Sequence, residues 1–348
     1  MKMYQIRSFV AYSLIACFWC LPAGAFESVT TLVGNSALAE KVSAGAYVSG
    51  DIWLKHGLAD LDLYFEKDKA WLNVAQLKLQ ILETDVTIGR QQVGWGVGFL
   101  LNPIDMLNPV PLGSSLDPAY VRDGRDIIKL ERYFGNYTKL ELLYAGKFEK
   151  SSQNFDHDLG VKLKGRLFGY DTAVSYVDKG ARSFSLIPEL ADQVYGLELS
   201  GTLPWEWGGW IEAAQYVKQQ KTDYVLGTDY YYADYHLVLE YYRNGFGSAN
   251  SSLYDLTLLF RGRMLAQDYL MPTLVWSVNE KLSLTSFNLY NMNDASMALG
   301  GLIDYYHSDN LEFIIMPIIL KGANSTEYGM QKLSYGRYAL SAKVKWVF

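Results

Sequence analysis

Cysteine is nearly missing from this chain of 348 residues: it has two, Cys17 and Cys20, and both fall in the first 25 positions. That excludes a disulfide framework as the source of stability over the rest of the chain. Histidine is equally scarce, with four residues that share no ligand spacing, so no metal site is expected and no cofactor is implied. A basic excess is also lacking. The formal net charge is −6, which removes nucleic acid as a partner. Nor is there, beyond the leader, an apolar run near the roughly 20 residues that a membrane-crossing helix needs. The longest, Phe313 to Leu320, is interrupted by Pro317.

Aromatic side chains are abundant instead: 27 Tyr, 15 Phe and 9 Trp. They favour pleated, half-buried surfaces and membrane interfaces. Residues 1–25 read as a cleaved leader. Lys2 and Arg7 supply the positive end, Phe9 to Leu21 the apolar stretch, and Ala23-Gly24-Ala25 the small residues before a cut at Phe26. A second reading makes Leu14-Ile15-Ala16-Cys17 a lipoprotein cleavage site, although apolar residues follow where a polar tether is usual.

The last residues alternate. Stepping back by two from Phe348 gives Trp346, Val344, Ala342, Leu340 and Tyr338, while Lys345, Lys343 and Arg337 occupy the other phase. Successive strand side chains point to opposite faces, so one face is apolar and the other cationic. Residues 157–167 repeat the pattern, with Leu159, Val161, Leu163 and Leu167 against Lys162, Lys164 and Arg166. Apolar-out with polar-in describes a sheet that has lipid outside and water inside. Such a sheet must close, because lipid offers no partner to an open edge. Residues 26–348 are therefore expected to form one all-β, antiparallel, up-and-down transmembrane barrel of about 18 strands, with 16 as the alternative. The fifth strand is placed at 84–93 and later ones at 126–134, 230–242, 252–260 and 334–348. Short turns at Leu82-Glu83-Thr84, Gly135-Asn136, Asn279-Glu280 and Ser308-Asp309 alternate with longer connections at 94–125, 148–156, 179–192 and 321–333. In this parity Arg243 to Ser251 is a long connection on the short-turn side, which breaks the pattern.

Gly89 to Asp126 breaks the strand rhythm as well. Four prolines and two Leu-Asn-Pro triplets exclude a ladder strand. Trp95, Phe99, Leu100, Ile104, Met106 and Leu107 need an apolar partner, so 94–125 is expected to fold into the lumen. Arg90, Arg122 and Arg125 beside Asp105, Asp117, Asp123 and Asp126 would then form a mixed-charge constriction. Arg90 shares its phase with Val86 and Ile88, so it reaches the lumen only if Gly89 carries a bulge. Lys162, Lys164, Arg166, Lys343 and Lys345 are expected to line the lumen, tempered by Glu131, Glu141, Glu198, Asp234 and Glu240. The alternative role for these charges is to pin the loop to the wall.

The run Gly89-Arg90-Gln91-Gln92, Trp95-Gly96, Asn102-Pro103-x-Asp105, Asn108-Pro109 and Arg122-x-Gly124 resembles porin-like outer-membrane proteins of Gram-negative bacteria, the alginate-export and related families. The terminal Phe348 resembles the assembly signal of such proteins. The resemblance implies an integral outer-membrane location, contact with outer-membrane lipid and with the barrel-assembly machinery, and passage of small or polymeric hydrophilic solutes. It implies a channel rather than an enzyme. Two other readings stay open: a hydrolase built on Asp234 and His236, and a barrel-anchored binding or assembly protein.

Overall fold

The computed structural model describes residues 27–37, 43–56, 59–66, 69–110, 122–149, 154–180, 182–184, 187–189 and 191–347. The leader over 1–25, Asp117 and Phe348 lie outside the described residues. The first nine strands are β1 (Glu27–Ala37), β2 (Ser43–His56), β3 (Ala59–Glu66), β4 (Lys69–Ile81), β5 (Thr84–Gln91), β6 (Arg125–Phe134), β7 (Thr138–Glu149), β8 (Asn154–Leu167) and β9 (Tyr170–Lys179). A small hairpin, β10 (Arg182–Phe184) with β11 (Ile187–Glu189), follows in one connection. Nine more strands complete the set: β12 (Asp192–Thr202), β13 (Gly208–Tyr216), β14 (Lys221–Tyr232), β15 (Tyr235–Arg243), β16 (Asp268–Asn279), β17 (Leu282–Asn291), β18 (Met297–Ser308), β19 (Leu311–Lys321) and β20 (Tyr338–Val347).

Apart from the small hairpin, the strands form one antiparallel, up-and-down sheet of 18. Each pairs with its neighbours in the chain, β9 passes directly to β12, and β1 pairs with both β2 and β20. All-β architecture follows from the two-residue period. Exposed Leu142, Leu163, Leu197, Ile211, Leu239 and Ile315 occupy one face, while Glu141, Lys162, Glu198, Glu212 and Glu240 occupy the other and are buried. Side chains of one phase keep to one face along the whole sheet, because the pleat alternates strictly and the register is continuous through most pairings.

Connections on one side are tight. The β4–β5 turn puts Leu82 and Glu83 both at positive φ, the pairing of a type I′ hairpin whose twist matches its strands. The opposite side carries the long segments 92–124, 244–267 and 322–337. Two expected elements need correction. Residues 252–260 form no strand, but a 3-10 turn over Ser251–Leu253 and a short helix over Thr257–Phe260. The expected single strand 230–242 is two, because residues 221–232 form β14, which turns at Ala233 (φ 50) into β15. Polar Thr222, Asp223, Thr228 and Asp229 blur the alternation there. With the turn at 233–234 restored, the segment after Arg243 falls on the long-loop side and the parity becomes regular.

Candidate functional site

Residues 92–110 run without helix or strand, so their backbone amides must find acceptors elsewhere. They find carboxylates on the polar face of the sheet. Glu212 of β13 accepts from three loop amides: Val97 at 2.8 Å, Ile104 at 2.7 Å and Gly98 at 3.4 Å. Glu240 of β15 accepts from Phe99 at 2.6 Å and Leu100 at 2.8 Å, and from the Trp210 indole at 2.9 Å. Glu141 of β7 accepts from the Trp95 indole at 3.0 Å. Charge-assisted bonds of this kind are about twice as strong as neutral ones. These acids therefore hold the loop rather than tempering a field in open water.

Apolar contacts do the rest. Trp95, Ile104, Met106 and Leu107 are buried with Ile127, Leu143, Val177 and Val194 of the wall. The wall makes room by omitting side chains. A Cβ on Gly160 would stand 2.9 Å from both Trp95 and Leu107, and one on Gly196 would stand 2.9 Å from Ile104. Gly96 is required differently. Its φ is +117, and a Cβ there would meet Asn102 Oδ1 at 2.3 Å. The first Asn-Pro of the loop thus sits in a bend that only glycine permits.

Asp105 ties the two ends of the segment together. It accepts from the Trp95 amide at 3.1 Å and pairs with Arg122 Nη2 at 2.8 Å, and Arg122 Nη1 donates to Val93 O at 2.6 Å. Burial pushes the Asp105 carboxyl up to about 6; Arg122 opposes the shift but does not cancel it. Arg125 donates to Leu107 O at 2.6 Å and pairs with buried Asp158. Asp123 is exposed, and its backbone carbonyl accepts from Asn108 Nδ2 at 3.0 Å. Asp105, Arg122 and Arg125 are thus gathered as expected, but as internal braces of the loop.

Arg90 is a correction. The β5 register runs unbroken from Thr84 to Gln91 on both sides, with no bulge at Gly89. Arg90 therefore stays in the phase of exposed Ile88 and pairs with Asp126 at 3.6 Å on the apolar face. Gln91 takes the inner position, donating to Ile127 O at 3.0 Å. Among the expected lumen cations, Lys162 is buried, 2.5 Å from Glu198 and over the Trp95 ring at 5.4 Å. Lys164 is exposed on the same face. Arg166 donates to Gly169 O at 3.1 Å and lies 6.0 Å from the Tyr137 ring centre. Lys343 stands opposite Ile314 on that face, and Lys345 is placed by register opposite Glu312. His236 bonds Asp229 at 2.8 Å rather than Asp234, and its ring lies between Tyr231, stacked at 3.9 Å, and the edge of Phe99.

Sequence reasoning missed Glu212 and the second packed segment, 244–267. There Met264, Leu265 and Ala266 are buried, and Leu100 joins Met264 and Ala266 in one apolar cluster. Glu327, at the start of the helix Glu327–Tyr335, accepts from the Leu265 amide at 2.9 Å, Tyr269 OH at 2.6 Å and Asn291 Nδ2 at 2.9 Å. The available signal was a lone carboxylate in the polar phase of a strand beside small residues, as Glu212 is with Ala214.

An antiparallel sheet with an apolar outer face, a polar inner face and long segments packed against that inner face has the fold of porin-like outer-membrane β-barrels. Solved structures of that class match nearly the whole chain. The outer membrane protein OprD from Pseudomonas aeruginosa is 12% identical with a TM-score of 0.58, over 92% of this chain and 94% of that one. OccAB1 of Acinetobacter baumannii is 10% identical at 0.57, over 93% and 96%. Wzi of Escherichia coli, an outer-membrane protein involved in group 1 capsule assembly and a carbohydrate-binding β-barrel, is 9% identical at 0.58, over 92% and 83%. No protein-family model and no curated protein sequence matches the chain.

Proposed function

We propose that the chain is an integral protein of the bacterial outer membrane, a porin-type channel for hydrophilic solutes. It works as a closed barrel of eighteen strands, made after removal of residues 1–25 and assembled through a closing strand that ends on Phe348. The observation that carries this is the split between faces. Leucine, isoleucine and aromatic side chains stand exposed on one face, while ionised groups are buried or paired on the other. Only a hydrocarbon surround makes the first arrangement favourable and a watery interior the second. Trp207 stacked on Tyr230 at 5.0 Å, beside exposed Trp205, fits an interfacial aromatic belt at the short-turn rim. That rim faces the periplasm in this reading.

Residues 92–110 form the constriction, narrowing the lumen by packing on the inner face between β6 and β16. Deleting Leu100 to Leu116 removes the Leu100 and Ile104 amides held by Glu240 and Glu212, together with the Asn-Pro bends. In planar bilayers the purified deletion protein is expected to show a larger single-channel conductance than the parent while still shifting in mobility on heating. Unchanged conductance in an assembled variant would end the constriction idea.

A second reading, a barrel-anchored binding protein, draws on the extent of loop packing and on the carbohydrate binding described for the Escherichia coli neighbour. It predicts no conductance from the parent protein and saturable binding of an oligosaccharide. The aromatic enclosure of His236 favours a rim pair over hydrolytic chemistry.

A further inference from the structure

Three of the tight turns at the short-turn rim repeat one device. In each, two consecutive residues take left-handed φ, and the first of the two is bulky and apolar. Leu82 (φ 46) precedes Glu83 (φ 64) between β4 and β5, and Phe168 (φ 53) precedes Gly169 (φ 89) between β8 and β9. Trp205 (φ 60) precedes Glu206 (φ 65) between β12 and β13. Turns of this handedness ordinarily take Asn, Asp or Gly, because a large side chain at positive φ crowds its own backbone. Burial within the chain does not offset that strain, since Leu82 is 87% exposed, Phe168 91% and Trp205 86%.

The turns on the other side of the rim are different. Asn279-Glu280 between β16 and β17, and Ser308-Asp309-Asn310 between β18 and β19, are polar and exposed. The apolar outer face runs through both regions, with Trp276 and Tyr305 exposed above those polar turns. The tips alone divide the rim. From β4 to β13 the apolar surface passes without a break from the outer face onto the tips. Ile81 and Leu167, the last outer-face side chains before their turns, are both exposed, and so are Phe134 and Tyr137 at the β6–β7 turn inside that arc.

We propose that these tips are seated in the phospholipid headgroup layer of the periplasmic leaflet, so that the β4–β13 side of the rim is sunk deeper than the β16–β19 side. Two of the tips set apolar bulk beside a carboxylate. Leu82 adjoins Glu83, whose side chain is 86% exposed and lies 3.4 Å from Arg132, and Trp205 adjoins Glu206. A protein core would strip water from those carboxylates. The headgroup layer takes the apolar side chain toward the acyl chains and leaves the carboxylate hydrated. Arg132 lies over the Phe134 ring at 5.5 Å in the outer phase of β6, where it can meet a lipid phosphate. Apolar surface removed from water on seating offsets the left-handed strain. Tilt follows interfacial anchors, and here the added anchors stand on one side. The proposal rests on the membrane-spanning reading and not on conduction.

The test uses the purified barrel in phosphatidylcholine nanodiscs, which leave both rims open to solvent. Beyond residue 25 the chain has no cysteine, so a nitroxide can be attached at one introduced cysteine at a time. Leu82→Cys, Phe168→Cys and Trp205→Cys report the tips, Glu280→Cys and Asn310→Cys the polar turns, and Leu159→Cys the outer face between the rims. Relaxation of each label by oxygen, which concentrates in lipid, is compared with relaxation by a water-soluble nickel chelate. The oxygen-to-nickel ratio at the three tips should be several-fold above that at the two polar turns. A Tyr137→Cys label, inside the arc, should share the high ratio and fall to that of the polar turns when Leu82→Ser, Phe168→Ser and Trp205→Ser are combined. Equal ratios at all five turn labels, whether low or high, would overturn the one-sided seating while a high ratio at Leu159→Cys keeps the barrel in its membrane. Tip labels shielded from both reagents would assign the arc to a protein contact, a second copy included, and overturn it as well. A low ratio at Leu159→Cys would instead remove the membrane-spanning reading itself.

Discussion

The wall from β6 to β15 and the wall from β16 to β20 are built on the same alternation, yet their inner faces differ in kind. The first carries Lys129, Glu131, Glu141, Lys162, Lys164 and Glu198, with unbroken ladders and a loop hung from its carboxylates. The second carries Val275, Phe287, Leu302, Ile314, Met316 and Ile318, keeps Asp304, Glu312 and Lys343 toward its short-turn end, and contains Pro272 and Pro317, beside which the strand pairing lapses. A charged inner wall needs partners, and the loop amides and neighbouring ions supply them. The apolar stretch of the second wall offers the loop no carboxylate. That is why segment 92–110 lies against the first half and reaches the second only at its border, where Leu100 meets Met264, Tyr269 and Met271. Order in the loop follows ion pairing and amide capture.

The largest effect should come from removing the strongest anchor. Glu212→Ala leaves the Val97, Gly98 and Ile104 amides without acceptors in a buried setting, a loss of roughly 2–5 kcal/mol in loop docking. Protease cleavage within 94–110 should accelerate by two orders of magnitude or so, since about 1.4 kcal/mol is worth a factor of ten. Glu212→Gln keeps one acceptor oxygen and should fall between. Cleavage at the parent rate in Glu212→Ala would show that apolar packing alone holds the loop and would erase the contrast between the two walls.

The outer face of this fold was legible and the inner one only in part. Alternation reveals the apolar side, because leucine and isoleucine recur at every second position, and residues 157–167 and 337–347 follow it with breaks at His157, Gly165 and Val347. Aromatic and proline content likewise marked 94–110 as a packed segment. What alternation cannot show is which inner charges meet. Arg122 and Asp105 pair across 17 positions and Glu212 reaches loop amides more than a hundred positions away, distances set by the curvature of the sheet and not by any local pattern. The strand 221–232 was hidden for another reason: Thr228 and the Tyr230–Tyr232 run interrupt the period on which recognition depends.

Pro272 gives the next effect, since the β16–β17 pairing lapses beside it between Leu270↔Tyr290 and Thr273↔Phe287. Amides of Asn288 and Leu289, beside the Pro272 gap, should exchange with solvent faster than those of Leu142 and Leu143 in the unbroken β7 ladders. Pro272→Ala supplies an N–H toward β17 at a gain of about 1 kcal/mol, which should slow exchange at Asn288 and Leu289 roughly fivefold. Exchange equally slow in both regions of the parent would remove the distinction between a continuous wall and an interrupted one.

The pH effect of Asp105 is of another kind. Its folded value of about 6 stands above the ordinary aspartate value of 3.8. Between those values the folded loop binds the extra proton, so docking weakens as pH rises from about 4 to 6 and is strongest once the carboxyl is protonated. A displacement of about 2 units is worth at most ~3 kcal/mol. Loop cleavage should therefore speed up across that interval in the parent and stay flat in Asp105→Asn. A parent profile that slows over the same interval would reverse the sign and place the stabilising charge on Asp105 itself.

Arg90 should give the smallest effect, and its smallness is the informative part. Its register puts it on the outer face, where the guanidinium lies 3.6 Å from Asp126, itself 65% exposed in the side chain, at the long-loop end of β5. Pairs as open as this are worth about 0–1 kcal/mol. Arg90→Gln should lower the unfolding temperature by no more than a degree or two and leave cation-to-anion preference unchanged, because a charge outside the wall adds little to the field across the lumen. Lys164→Gln, on the inner face of β8 and exposed there, should move the preference toward cations. The two substitutions each delete one positive charge at opposite faces of one sheet. If Arg90→Gln moved the selectivity and Lys164→Gln did not, the register of β5 and β8 would be off by one residue, and every side chain on those strands would change faces.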